Sequence, residues 1–172
     1  MTRKEWLAWQ VVSNNFKKGV ELGVLRGPTF KYLIENCKEL ELTGVDVFCA
    51  DKRWRAQGVN TTKELQKVRA AEWYFELLNF CDEHQPRANI MRDFTNQAHK
   101  NFEDESLDFI FVDAAHTYDA VVEDIKLWEP KVRKGGLVSG HDIDMLAVRM
   151  AVSQHNQEYN QAPDNIWYWT KK

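Results

Sequence analysis

The sequence predicts an α/β fold, a three-layer sandwich in which a mostly parallel central sheet carries helices on both faces. Three observations predict it. Short apolar runs alternate from end to end with stretches of helical periodicity, the pattern of parallel strands joined by crossover helices. Acids and histidines stand at the ends of those apolar runs instead of being scattered among loops. The length of 172 residues holds one ordinary domain with a substantial core, so a single domain over residues 1–172 is expected.

Taken in order, Trp6, Leu7, Gln10 and Val11 have the spacing of a helix that covers one side of the sheet. Gly19 to Val24 is the first strand. Pro28 then stands where a first-turn proline is tolerated, and Phe30, Leu33, Ile34 and Cys37 recur at helical spacing. Leu42 to Val47 is the second strand. A polar loop from Asp51 to Gly58, containing Arg53-Trp54-Arg55, leads to Thr61-Thr62-Lys63-Glu64, which reads as a capping box. The helix it opens carries Leu65, Val68, Phe75 and Leu78 on one face, with Pro86 beyond its end. Ala88 to Met91 and Leu107 to Val112 are the third and fourth strands. Tyr118 to Trp128 is a helix presenting Val121, Ile125 and Trp128; Pro130 stops it, and Gly135-Gly136 turns the chain into a fifth strand, Leu137 to Gly140. A helix with Met145, Val148 and Val152 precedes the last strand, Ile166 to Thr170.

Composition excludes several classes. A formal net charge of −3 and the absence of a Lys/Arg run give no electrostatic footprint for nucleic acid. No stretch is apolar enough to span a bilayer, and the charged first residues contain no signal-peptide core, so a cytoplasmic protein with no membrane partner is expected. Cys37, Cys49 and Cys81 suit neither a disulfide framework nor a zinc cluster and read as reduced, mostly packed thiols. Of the seven tryptophans, Trp167 and Trp169 flank Tyr168 in the last strand. Core burial is their first use, and an aromatic edge that pairs two copies into a homodimer is the second.

Ligands of open parallel sheets sit outside the carboxyl ends of the strands. Here the first strand ends at Glu21 and Gly23, the second at Asp46, the third near Arg92-Asp93, the fourth at Asp113 and the fifth at His141-Asp142. A dinucleotide-binding turn spends three glycines to bring N–H groups onto a pyrophosphate. Glu21 replaces the first of them, which disfavours phosphates and favours a cationic ligand. Asp46 follows Gly23 at roughly the twenty-residue spacing of an acid that accepts ribose hydroxyls. Its alternative role is to cap the next loop.

Three segments carry a family resemblance: Val20-Glu21-Leu22-Gly23-Val24-Leu25-Arg26-Gly27, Phe109-Ile110-Phe111-Val112-Asp113-Ala114-Ala115-His116-Thr117-Tyr118, and Gly135-Gly136-Leu137-Val138-Ser139-Gly140-His141-Asp142. They resemble motif I and the D-x-D-H-S-Y and G-G-x-x-x-G-H-D segments of the class I S-adenosylmethionine-dependent methyltransferases, in the branch of small-molecule O-methyltransferases. The resemblance runs from about Gly19 to Asp142. It implies a Rossmann-like sheet and S-adenosylmethionine as cofactor, a molecule without phosphates that bears ammonium and sulfonium groups. By that resemblance Glu21 and Gly23 line the methionine end, Gly27 completes the turn, Asp46 holds the ribose, Asp93 to Thr95 reach the adenine, and Asp113 borders the cofactor. Phe94 stands where the family often has an acid.

Related metal-dependent enzymes imply Mg²⁺ or another divalent cation on Asp113, His141 and Asp142. Such an ion acidifies a substrate hydroxyl and relieves repulsion between carboxylates, although histidine is a poor magnesium ligand. The chain departs from the family at Ala115, where a second aspartate acts as general base in some relatives. The base then falls to His116, to His141 or to a metal-bound hydroxide; the bland alternative leaves both histidines structural. The function expected is methyl transfer to a hydroxyl of a small-molecule acceptor, a saccharide or secondary metabolite. The alternatives are a nicotinamide-dependent oxidoreductase and a catalytically silent cofactor-binding module on the same sheet.

Overall fold

The computed structural model describes residues 1–49 and 63–172, with side chains in the second span from residue 68. The Arg53-Trp54-Arg55 loop, Thr61 and Thr62 of the capping box, and the side chain of Leu65 lie outside the described residues. The strands are β1 (Lys18–Leu22), β2 (Glu41–Asp46), β3 (Ala88–Arg92), β4 (Leu107–Val112), β5 (Val132–Gly140), β6 (Asn160–Ala162) and β7 (Ile166–Thr170). They form a sheet of order β3-β2-β1-β4-β5-β7-β6. The first five are parallel, and β7 and β6 run antiparallel to their neighbours. This is the α/β, Rossmann-like architecture that the sequence predicts. The strand order reverses between β1 and β4, whose register sets Glu21 beside Phe111 and Leu22 beside Val112, so the two strands diverge at a crevice suited to a ligand.

The helices are α1 (Arg3–Ser13), α2 (Pro28–Asn36), α3 (Lys63–Glu83), α4 (Thr95–Ala98), α5 (Tyr118–Trp128) and α6 (Leu146–His155). Alternation along β4 divides the core. Phe109 and Phe111 join Trp6, Leu7, Phe30, Leu33 and Leu77 on one face of the sheet, whereas Ile110 and Val112 join Val121, Ile125, Trp128 and Val152 on the other. Both faces of β4 are therefore covered, which is why five of its six residues are apolar. No helix among the described residues is long and apolar enough to cross a membrane.

Three details differ from expectation. The buried face of α3 is Ala70, Leu77 and Cys81, while Val68 is 52% and Phe75 62% exposed. Apolar side chains ring this helix, so periodicity alone does not select the face that docks. Met145 precedes α6 and is exposed, leaving Val148, Ala151 and Val152 to pack. The aromatic strand β7 is not an open edge: β5 pairs with one side and β6 with the other, and Trp167 and Trp169 are buried. Asn160–Ala162 is too short and polar to read as a strand from sequence. Of the cysteines, Cys37 and Cys81 are buried and Cys49 is exposed, with no disulfide among them.

Candidate active site

A cavity of about 530 Å³ opens at the carboxyl ends of the parallel strands. It gathers Glu21, Gly23, Asp46, Asp93, Thr95, Asp113, His116, His141 and Asp142, every expected site residue but one. The exception is Gly27, which lies at φ +74° before the first residue of α2. A Cβ there would meet Leu77 Cδ2 at 2.5 Å, so Gly27 serves the packing of α2 against α3 and not the cavity wall. Gly23 does shape the wall. At φ +85° it presses the turn after β1 against the end of β4, and a Cβ would lie 2.3 Å from the Asp113 carbonyl oxygen. Only glycine fits a left-handed position with backbone that close.

Asp46 caps the loops at the strand ends. Its Oδ2 accepts the backbone N–H groups of Val24 and Leu25, each at 2.9 Å, and its Oδ1 accepts that of Phe48 at 2.7 Å. The carboxylate thus ties the end of β2 to the turn after β1. A carboxylate offers about four acceptor positions, so one remains for a ligand in the cavity that Asp46 also lines.

Glu21 is only 3% exposed, and its Oε2 has no hydrogen-bond partner. Burial first, and then the negative charge of Asp113, push its pKa well above the usual carboxylate range, against the opposing pull of Arg3. A buried carboxyl with an unpartnered oxygen at a cavity wall is suited to meet a donor or a cation. At the other end of the cavity, Asp93 Oδ1 accepts the Phe94 N–H at 2.8 Å, Phe94 itself is exposed, and the Thr95 side chain hydrogen-bonds buried Asp124.

The cavity is also lined by a charged network. His116 Nε2 is 2.7 Å from Asp142 Oδ2 and 3.5 Å from Asp113 Oδ1. Proximity to the carboxylates of Asp113 and then Asp142 outweighs burial and lifts the His116 pKa to about 9. Those interactions with His116, and then with His141, hold Asp142 far below the usual range. Burial pulls the His141 pKa down, yet Asp142 and Asp113 raise it overall. His141 Nδ1 lies 3.0 Å from Asp142 Oδ1 and 3.2 Å from Arg3 Nη1, so it donates when it meets the carboxylate and accepts when it meets the guanidinium. Its Nε2 is buried without a hydrogen-bond partner.

Sequence reasoning missed Arg3. Its Nη1 donates to Asp113 Oδ2 at 2.8 Å and lies 3.2 Å from His141 Nδ1. The start of α1 is fixed by Thr2 N–H donating to Glu5 Oε2 at 2.7 Å and Arg3 N–H donating to Asp164 Oδ2 at 2.8 Å. Trp6 packs on Tyr168 with ring centroids 5.0 Å apart.

The three expected metal ligands satisfy the distance criterion, since one ligand atom from each of Asp113, His141 and Asp142 lies within 4.8 Å of the others. Their charge does not fit an ion as folded. Arg3 already occupies Asp113 and faces His141, and His116 occupies Asp142. Two carboxylates are thus matched by two cationic groups, and the mixed donor set is not the all-oxygen shell that Mg²⁺ prefers.

Residues 20–143 match a family model described as a methyltransferase domain. No curated protein matches the chain by sequence. Among solved structures, the O-methyltransferase NovP superposes with a TM-score of 0.68 at 17% identity, covering 98% of this chain and 78% of its own. The methyltransferase PaMTH1 of Podospora anserina, solved with S-adenosylhomocysteine bound, gives 0.69 at 12% identity, covering 99% and 78%. CalS11, a TDP-rhamnose 3′-O-methyltransferase of calicheamicin biosynthesis, gives 0.60 at 13% identity, covering 95% and 75%. At these identities the likeness shows the shared fold.

Proposed function

The chain belongs to the class I methyltransferases, whose domain model spans residues 20–143, and from that premise we propose that it methylates a hydroxyl of a small molecule using S-adenosylmethionine. The observation that carries this reading is Glu21, a buried carboxyl with an unpartnered oxygen at the turn where a dinucleotide site would seat a pyrophosphate. An acid at that place repels phosphate and attracts the ammonium of a methionine moiety, which also disfavours a nicotinamide cofactor. Bound there, S-adenosylmethionine supplies an electrophilic methyl group on a cationic sulfur.

The protein's own residues do the rest. Glu21 faces the ammonium, Asp46 offers its remaining acceptor position to a ribose hydroxyl, and Phe94 and Thr95 border the adenine. The acceptor enters on the side of Asp113, His116, His141 and Asp142. Of the two histidines, His141 is the candidate general base. His116 stays protonated near neutrality between its two aspartates, where it holds their carboxylates in place. Much of the rate then comes from aligning oxygen, methyl carbon and sulfur. A saccharide hydroxyl is the acceptor class we favour, in keeping with the sugar nucleotide named for the structurally similar CalS11.

Thermal unfolding with S-adenosylhomocysteine, with NAD and with neither tests the cofactor assignment, because a ligand that binds only the folded state raises the midpoint. A rise with S-adenosylhomocysteine alone is expected. A rise with NAD alone overturns the reading.

A further inference from the structure

We propose that Arg3 is the built-in cation of this site, its guanidinium standing where a divalent ion would sit between Asp113 and His141. Three observations carry the inference. First, one Arg3 nitrogen reaches two of the three candidate ligands, at 2.8 Å from Asp113 Oδ2 and 3.2 Å from His141 Nδ1. An incoming cation meets a positive charge beside two of the residues it needs. Second, the placement is anchored rather than incidental. The backbone N–H of Arg3 donates to Asp164, Thr2 closes the helix start on Glu5, and Trp6, Leu7 and Val11 are buried one to two turns on. Third, the remaining ligand, Asp142, has His116 Nε2 2.7 Å from its Oδ2, so an ion would have to displace a contact already made there.

The consequence is a site that manages its negative charge without metal. Guanidinium has five N–H donors in a rigid plane, and the contacts among the described residues engage one side-chain nitrogen of Arg3. Its other nitrogens, on a side chain that lines the cavity, are free to meet an acceptor oxygen in the role a Lewis acid would otherwise play. That last step rests on the methyl-transfer reading, whereas the exclusion of an ion does not.

Titration of Mn²⁺ into the full-length protein, followed by electron paramagnetic resonance and calorimetry, tests the exclusion without cofactor or acceptor. Wild-type protein is expected to show no saturable binding that depends on Asp113, so Asp113→Asn changes nothing in its titration. Arg3→Met keeps an unbranched apolar stem and removes the charge. It is expected to gain one Mn²⁺ site, tighter than any wild-type binding by about tenfold or more, and Arg3→Met combined with Asp113→Asn should lose it again. Arg3→Lys, which retains the charge, should remain without the site. Stoichiometric, Asp113-dependent binding by the wild type overturns the proposal, as does a folded Arg3→Met protein that still takes no ion. Should Arg3→Met fail to fold, the comparison of wild type with Asp113→Asn decides the matter. Failure of S-adenosylhomocysteine to bind would strike the methyl-transfer reading and leave these titrations standing.

Discussion

At the scale of single residues, the site works by holding acids in different states within one cavity. Burial, and then the charge of Asp113, hold the Glu21 pKa well above the usual carboxylate range. A ligand that brings an ammonium group to it favours the carboxylate, so binding expels the proton. Calorimetry of S-adenosylhomocysteine binding in two buffers of different ionisation enthalpy should therefore reveal net proton release, and Glu21→Gln should abolish it. Equal heats after correction, in wild type and variant alike, would remove Glu21 from the ligand's contacts. Asp46 makes a second case. Replacing it with alanine strands the N–H groups of Val24, Leu25 and Phe48, so Asp46→Ala should lower unfolding stability by about 1–3 kcal/mol and weaken cofactor binding by a similar amount. Urea denaturation and calorimetry read the two effects separately, and unchanged affinity would confine Asp46 to the turn. These acids were legible in the sequence because strand ends converge in any open parallel sheet. Arg3 was not, since its partner lies 110 positions away and the pairing exists only because α1 docks beside β7. No spacing rule encodes such a contact.

At the scale of elements, burial on both faces decided which parts of the chain could be read. β4 has the limits its apolar run predicts, and β1 and β2, where Glu21, Thr43 and Gly44 interrupt the large apolar residues, fall within a few residues of theirs. α3 shows the converse. Its sequence offers apolar residues all round, and the side that docks is chosen by the hollow beside Gly27 that Leu77 fills. Leu77→Ala should accordingly cost about 2–5 kcal/mol as a buried truncation, whereas Phe75→Ala, on the exposed side, should change stability by less than about 0.5 kcal/mol. Chemical denaturation of the two variants measures both; a large loss from Phe75→Ala would show that the helix packs through the face its periodicity suggests. The turn after β1 gives a sharper test. Gly23→Ala sets a methyl group against the backbone of Asp113 and Ala114, and neither strand end yields without moving the cavity wall. The variant is expected to lose S-adenosylhomocysteine binding, read by thermal shift, even if its sheet still folds.

At the scale of the whole molecule, the two cores are held together through one sheet, and the helices of the second core also support the rim of the cavity. Asp124 stands at that junction. It is a buried acid on α5, its carboxyl hydrogen-bonded by Thr95 of the cavity wall. Burial above all raises its pKa from 3.8 to about 6, with a small push from Glu123 and an opposing pull from the Thr95 hydrogen bond. The folded protein therefore binds more protons than the unfolded chain between those two values. The contribution of Asp124 to stability is fully present below about pH 4 and is lost as pH rises through about 6. Near neutrality the fold carries a buried charge. Asn has nearly the same shape, still accepts from Thr95 and never ionises. Relative to wild type, Asp124→Asn should gain stability as pH rises from 4 to 7, by on the order of 2–3 kcal/mol, whatever constant offset its amide N–H₂ introduces. Asp142, whose pKa is depressed, gives the opposite slope at lower pH, but it is common to both proteins and cancels in the difference. Urea unfolding of the pair at closely spaced pH values supplies the curve. A difference that stays flat across the range would mean that Asp124 is solvated in the folded protein, and that the α5 side of the cavity rim is open to water.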